Sequence, residues 1–144
     1  MNIEVNSCEK FRKDIGLQLH RFNREKCAYI KQNSTDTESK KEVINFAIYQ
    51  DGKLIAGACG FIAYCWYYLD LLWVGQKHRK MGIGSMILAE IEKKARNKKC
   101  FGIHLGTWDF QAKEFYEKNG YKVYAELKDY PPGSTDFKLK KLLN

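Results

Sequence analysis

Residues 54–74, LIAGACGFIAYCWYYLDLLWV, restrict the fold more than any other part of the chain. A run this long and apolar either crosses a bilayer as a helix or is buried as consecutive strands. The spanning helix is disfavoured on three counts: Asp70 lies well inside the run, aromatic residues fill its middle instead of its ends, and the turn signal DGK at 51–53 follows a strand-like run at 43–49. Two buried strands fit better. Aromatic and β-branched side chains favour a pleated sheet, and continuous apolar runs mark strands covered on both faces.

The remaining chain supplies covering helices and further strands. Residues 10–24 place Phe11, Ile15, Leu19 and Phe22 at helical spacing, and residues 31–41 read as a polar connection or a short helix. Gly84, Leu88, Ile91 and Ala95 recur at intervals of four, three and four, which is one face of a helix. Its polar side carries Glu90 with Lys94 and Glu92 with Arg96, both i,i+4 pairs in the favourable orientation, and the basic cluster at 96–99 suits its C-terminal end. FGIHLGTW at 101–108 reads as a strand, 110–119 as a short helix closed by Gly120, and 121–127 as another strand. After a PPG loop at 131–133, residues 136–142 form the last strand.

Length and composition narrow the class. The 144 residues suffice for one domain spanning 1–144. Lys and Arg outnumber Asp and Glu by 25 to 17, and the net charge of +8 suits a phosphate-rich ligand, an acidic partner or nucleic acid. Cys8, Cys27, Cys59, Cys65 and Cys100 form no CxxC pair, and with three histidines no metal-ligand spacing appears. Such scattered cysteines read as reduced thiols of a cytoplasmic protein. The N-terminal MNIEVNSCEKFRKDIG lacks the apolar core of a signal or anchor, so no membrane partner is expected.

The segment RKMGIG at 79–84 carries the strongest functional signal. A strand ending at Val74, a loop, and a helix beginning near Gly82 or Gly84 bring exposed backbone N–H groups and a positive helix terminus to one point, where anions bind. Glycine at 82 and 84 removes Cβ atoms that would hold a phosphate away, and Arg79 and Lys80 add charge. The alternative is that the glycines only let a strand turn tightly into a helix. The GxxxxGK[ST] loop is absent, as is the three-glycine dinucleotide fingerprint with its acidic residue.

A second block strengthens the signal. VGQKHRKMGIGSMIL at 74–88 resembles the acetyl-CoA pyrophosphate loop of the GNAT N-acetyltransferases, Q/R-x-x-G-x-G/A, with Arg79, Gly82 and Gly84 in register. AKEFYEKNGY at 112–121 is similar to the family's late helix, in which an alanine is followed by a tyrosine and a glycine-aromatic pair. The resemblance implies an α/β (α+β) fold with a mixed, mainly antiparallel sheet splayed between strands 4 and 5 and flanked by helices. It implies acetyl-CoA as cosubstrate, held by Leu72, Trp73 and Val74 of the splayed strand and by Arg79, Lys80, Met81, Gly82, Ile83, Gly84 and Ser85. Tyr116 matches the tyrosine that protonates the departing sulfur. Asp109 stands where many members carry a cofactor-contacting asparagine; as a carboxylate it would add negative charge beside phosphate, and it could instead cap the next helix.

The implied chemistry sets requirements. An alkylamine with pKa about 10.4 is only about 0.04% neutral at pH 7, which opposes attack by about 4.6 kcal/mol. A base is therefore needed, and Asp70, on one strand face with Tyr68 and Leu72, is the candidate, acting through water. Its alternative is a buried carboxylate bonded within the structure, as Tyr116's is a packing ring. His78 reads as a solvated or phosphate-contacting side chain and His104 as a core histidine; Cys59 and Cys65 read as packing. Trp66, Tyr67 and Tyr68 either line an acceptor tunnel or pack the sheet. The acceptor, a small molecule or a peptide amine, is left open, and a homodimer is allowed. Two other classes compete: a non-catalytic acyl-CoA sensor or interaction module, and a basic nucleic-acid-binding domain, which lacks an RNP-like aromatic-basic signature.

Overall fold

The apolar run at 54–74 forms no helix: it folds as an antiparallel hairpin in which Ala63 pairs with Trp66. Its two turn residues, Tyr64 and Cys65, both adopt left-handed backbone, φ 53° and 61°, as a two-residue turn of this hand requires. A computed structural model describes residues 1–144. In chain order the elements are α1 (Glu9–Lys26), α2 (Ala28–Gln32), β1 (Glu42–Val43), β2 (Phe46–Gln50), β3 (Lys53–Ala63) and β4 (Trp66–Val74). A 3-10 turn (Gln76–His78) then leads to α3 (Ile83–Asn97), β5 (Gly102–Trp108), α4 (Lys113–Lys118), β6 (Lys122–Lys128) and β7 (Thr135–Leu142).

The chain divides into two compact units, Met1–Lys40 and Lys41–Asn144. In the first, α1 is tied to the loop after α2 by an ion pair between Arg24 and Asp36 and by a hydrogen bond between His20 Nε2 and the Thr35 carbonyl, 2.7 Å. The helix expected from Phe11, Ile15, Leu19 and Phe22 is present, yet all four residues are exposed.

The second unit is built on a seven-stranded sheet of order β1-β3-β4-β5-β7-β6, with β2 also on β3. Every pairing is antiparallel except β4 with β5, which are parallel and connected through α3. Leu88, Ile91 and Ala95, with Ile87, bury one face of α3 against Tyr67 and Leu69 of β4, Ile103 and Leu105 of β5, and Leu139 of β7. These strand residues alternate with exposed or half-buried ones, so the opposite sheet face carries Trp66, Tyr68 and His104.

Two irregularities in β4 shape the open end of the sheet. Its pairing with β5 runs from Trp66↔Gly102 to Leu69↔Leu105 and stops there, although β4 continues to Val74 and β5 to Trp108. The expected splay between these strands is this parting. In the pairing with β3, Leu69 faces Gly60 and Leu71 faces Cys59, leaving Asp70 as the extra residue of a β-bulge. The bulge inverts the alternation: Tyr67 and Leu69 face the core before it, Leu72 and Val74 after it. Tyr68 and Leu72 therefore lie on opposite faces, which corrects the single face expected from strict alternation.

Two further expectations change. Glu92, placed on the polar side of α3, is only 8% exposed: its Oε1 accepts a bond from Lys141 Nζ at 2.8 Å, while Arg96 lies 3.7 Å away on the other oxygen. A periodicity count cannot see a cation arriving from β7. The helix expected at 110–119 begins only at Lys113, because Gln111 organises a turn before it, its Oε1 accepting bonds from Trp108 N–H (2.8 Å) and the Thr107 hydroxyl (3.2 Å). Residues 31–41 are mostly connection, closed by a bridge between Ser34 and Ser39 after α2 ends.

Three buried tyrosines make stability pH-dependent at the alkaline end. Burial pushes Tyr67 and Tyr116 up to about 12, and burial followed by the charge of Glu92 pushes Tyr121 higher. The unfolded chain loses these protons near pH 10 and the native state does not, so the native state binds more protons and stability falls as pH rises from about 10 to 12. Below pH 10 the effect is absent. For Tyr67, whose hydroxyl donates to the Ile44 carbonyl at 2.9 Å, the loss reaches a few kcal/mol once pH exceeds 12. Denaturant titrations on either side of pH 10 should show a shallower decline in Tyr67→Phe than in the wild type; parallel declines would refute the assignment.

Candidate functional site

Where β4 and β5 part, the β4 edge facing β5 loses its ladder partner, and a cleft of about 760 Å³ opens beside it. Leu72, Trp73 and Val74 form one wall. Arg79, Lys80, Gly82, Ile83, Gly84 and Ser85 form the second, and the segment from Phe110 to α4, with Phe115 and Tyr116, forms the third. The spacing of residue types in the loop is thus met by a real concavity.

The loop is built to point backbone donors into it. Gly75 N–H bonds the Ile55 carbonyl at 2.8 Å, which ends β4, and His78 N–H returns to the Gly75 carbonyl at 2.8 Å. Lys80 and Gly82 then take left-handed backbone, φ 60° and 79°, and Gly82 is the N-cap of α3 with no side-chain cap. Met86 N–H makes the first intrahelical bond, to the Gly82 carbonyl at 3.0 Å, so the N–H groups of Ile83, Gly84 and Ser85 have no acceptor within the helix. They border the cleft with the positive end of the helix dipole behind them. Arg79 Nε donates to the Val74 carbonyl at 3.0 Å, which fixes the guanidinium against the end of β4 and leaves its other donors for an anion.

Within the fold itself the two glycines meet different requirements. A Cβ on Gly82 would meet nothing within 4 Å, so its requirement is the positive φ. A Cβ on Gly84 would come within 2.9 Å of the Phe115 ring, so its requirement is the approach of α3 to α4. That contact positions the next residue, Tyr116. Tyr116 is 7% exposed, its ring lies 5.1 Å from Phe115 and 5.8 Å from Tyr121, and burial pushes its pKa up to about 12. It is a neutral hydroxyl donor throughout the physiological range.

Three expected residues stand apart from the cleft lining. Met81 is exposed on the loop. Asp70 is exposed at the bulge, a little before the Leu72 wall. Asp109 does not cap α4, whose N-cap is Ala112. Instead Asp109 Oδ2 accepts from Thr135 N–H at 3.1 Å and its own N–H donates to the Thr135 carbonyl at 3.0 Å, clamping the end of β5 to the start of β7. The lining also includes residues that sequence reasoning missed, Phe110, Gln111 and Phe115. Only Phe115 left a signal, since a glycine at the second position of a helix leaves room for a bulky neighbour. His78 borders the cleft with Nε2 3.1 Å from Gln50 Oε1. His104 lies on the opposite sheet face.

Comparison with known proteins agrees with this geometry. Residues 9–121 match the Acetyltransferase (GNAT) family. The chain is 41% identical over 99 residues to the blasticidin-S acetyltransferase of Streptomyces morookaense, covering 68% of this chain and 73% of that protein. A crystal structure of an acetyltransferase from Bacillus cereus ATCC 14579 superposes with a TM-score of 0.85 at 29% identity, covering 99% of this chain and 98% of that one. The paia N-acetyltransferase of Thermoplasma acidophilum, solved with coenzyme A, superposes with a TM-score of 0.61 at 25% identity, covering 70% and 61% of the two chains.

The glycine assignments give separable outcomes. Gly84→Ala should destabilise the protein by about 1–3 kcal/mol through overpacking, and Phe115→Leu in the same chain should recover part of that loss. Gly82→Ala should cost about 1–2 kcal/mol through backbone strain, with no recovery from Phe115→Leu. Denaturant midpoints of the single and double variants measure both; equal coupling at the two glycines would refute the distinction.

Proposed function

Because the chain belongs to the acetyltransferase (GNAT) family, we propose that it carries the acetyl group of acetyl-CoA to a primary amine of a small molecule or peptide. The family match crosses the boundary between the two compact units, which supports reading residues 1–144 as one acetyltransferase domain. The observation that carries the proposal is the cleft itself. It joins an unpaired strand edge, the start of a helix and a buried tyrosine, the three features that a phosphate-bearing thioester requires.

In this reading the N–H groups of Ile83, Gly84 and Ser85, with Arg79 and Lys80, hold the pyrophosphate. The free edge of β4 at Leu72, Trp73 and Val74 receives the pantetheine arm and meets the thioester oxygen as charge develops on it. Acetyl-CoA supplies the activated acyl carbon. An amine attacks that carbon, the C–N bond forms, the C–S bond breaks and the sulfur leaves with the electron pair. Tyr116 assists departure. With its pKa near 12, complete proton transfer to a thiolate of ordinary pKa about 8.5 would be uphill by about 5 kcal/mol. Its contribution is therefore a hydrogen bond to the sulfur as charge builds, with solvent completing protonation. Asp70, exposed at the bulge, takes the amine proton through water. The likeness to a blasticidin-S acetyltransferase favours an antibiotic amine as acceptor over a protein lysine.

Thiol release from acetyl-CoA, with blasticidin S and a set of simple amines as acceptors, tests the activity; silence with all of them despite calorimetric binding of acetyl-CoA would favour the non-catalytic sensor. Arg79→Ala should weaken acetyl-CoA binding, by less as salt rises. Tyr116→Phe should lower kcat by about 10- to 1000-fold when thiolate departure limits the rate, and donors with more acidic thiols should narrow the deficit. Asp70→Asn should lower kcat by about 100-fold and remove the acid limb of the pH profile while leaving acetyl-CoA affinity unchanged. A fully active Asp70→Asn enzyme would assign proton removal to solvent.

A further inference from the structure

The sheet face opposite α3 carries a second, smaller concavity of about 300 Å³, lined by Ala63, Tyr64, Trp66, His104, Tyr124 and Lys140. Strand alternation creates it. Trp66 on β4, His104 on β5 and Lys140 on β7 project away from the core side occupied by Tyr67, Ile103 and Leu139, and His104 is the register partner of both Tyr68 and Lys140. Tyr124 joins them because it is the extra residue of a bulge in β6, between Val123, opposite Leu139, and Ala125, opposite Lys138. The walls are aromatic: the His104 ring lies 4.9 Å from Tyr68 and meets Trp66 edge-on at 5.9 Å.

The charges facing this concavity can be sorted. Lys138 Nζ lies 3.0 Å from the buried Asp136 carboxylate and is matched. Burial, and then the charge of Lys138, pull His104 below the usual histidine range, so its imidazole is neutral near pH 7. Lys140 is exposed, with Nζ 5.6 Å over the Tyr124 ring and no carboxylate in ion-pair range. One unmatched cation therefore stands at the rim of an aromatic hollow. One wall of the hollow reaches toward the gap: His104 is the residue immediately before Leu105, after which β4 and β5 part, while Ala63, Tyr64 and Trp66 lie at the turn end of β4.

We propose that this concavity is an acceptor subsite that takes a planar aromatic or heteroaromatic ring carrying a carboxylate, with the acceptor amine directed at the gap between β4 and β5. The proposal rests on the acetyl-transfer reading and specifies its substrate class. The ring stacks among Trp66, His104 and Tyr124, and the carboxylate meets Lys140. A flexible polyamine is disfavoured, since it offers no ring and would face Lys140 on a chain of net charge +8.

Three probes differ by one feature each: L-tryptophan has ring, carboxylate and amine, tryptamine lacks the carboxylate, and cadaverine lacks the ring as well. Equilibrium dialysis against the full chain should rank them tryptophan, tryptamine, cadaverine, with at least about a tenfold step between the first two. Lys140→Met should bring tryptophan down to the level of tryptamine without changing tryptamine, and Tyr124→Ser should weaken both. Both residues are exposed, and unchanged melting curves check that the variants fold. Dialysis needs no donor, so it judges the subsite even if acetyl-CoA fails to bind in calorimetry, a result that would overturn the transfer reading instead. Equal affinity for the three probes, no binding of any, or a Lys140→Met variant that holds tryptophan as the wild type does would each overturn the subsite.

Discussion

β4 is paired with β3 along its whole length and with β5 along only its first half, and the functional geometry stems from that asymmetry. Buried peptide groups must find partners, so an interior strand edge that loses its neighbour is costly unless something else occupies it. The parting after Leu69 and Leu105 leaves such an edge beside the start of α3. The bulge at Asp70 accompanies it, turning Leu72 and Val74 toward the core and Trp73 outward, so that β4 stays anchored on one side while open on the other.

The second constraint is the fit of α3 against α4. Gly84 has no Cβ, Phe115 fills the space, and Tyr116 is thereby fixed in the third wall of the cleft. A residue read from sequence as serving a ligand directly also serves the fold by packing: the helix terminus whose free N–H groups border the cleft is the same terminus that sets the distance to the tyrosine. The left-handed backbone at Lys80 and Gly82 completes the arrangement by letting a loop entering from β4 turn sharply into that helix. Strain at Lys80, where most residues avoid positive φ, belongs to this turn.

Much of this was legible in the chain because local signals and tertiary demands agree. The apolar run at 54–74 could only be strands once Asp70 and the aromatic distribution were weighed, and DGK marks a turn whose Asp51 and Gly52 do take positive φ. The loop at 79–84 came from its residue types and spacing and Tyr116 from the family resemblance, and both border one cleft. What stayed hidden has a common cause. The turn at Tyr64 and Cys65 lacks the usual Asn-Gly chemistry and is imposed by the pairing of β3 with β4. Bulges at Asp70 and Tyr124 break a period-two pattern without any residue that announces them, and so reassign faces. Glu92 is drawn inward by Lys141, and Asp109 is claimed by Thr135, through partners distant in sequence.

Buried tyrosine and buried carboxylate are handled in opposite ways, and the contrast bears on the chemistry. Glu92 is buried with a cation in contact, the arrangement in which removal of one partner is far more damaging than the pair is stabilising. Tyr116 is buried without a charge partner among the causes of its raised pKa, so its environment favours the neutral hydroxyl alone. A group in that state is poorly suited to give up its proton outright but well suited to offer a directed hydrogen bond, and it does so without the reorganisation that water would require. In the proposed acetyl transfer the driving force for C–S cleavage would then lie in the thioester itself, and the protein's part would be to align the amine, receive the oxyanion on the free strand edge and hold one neutral donor where the sulfur departs.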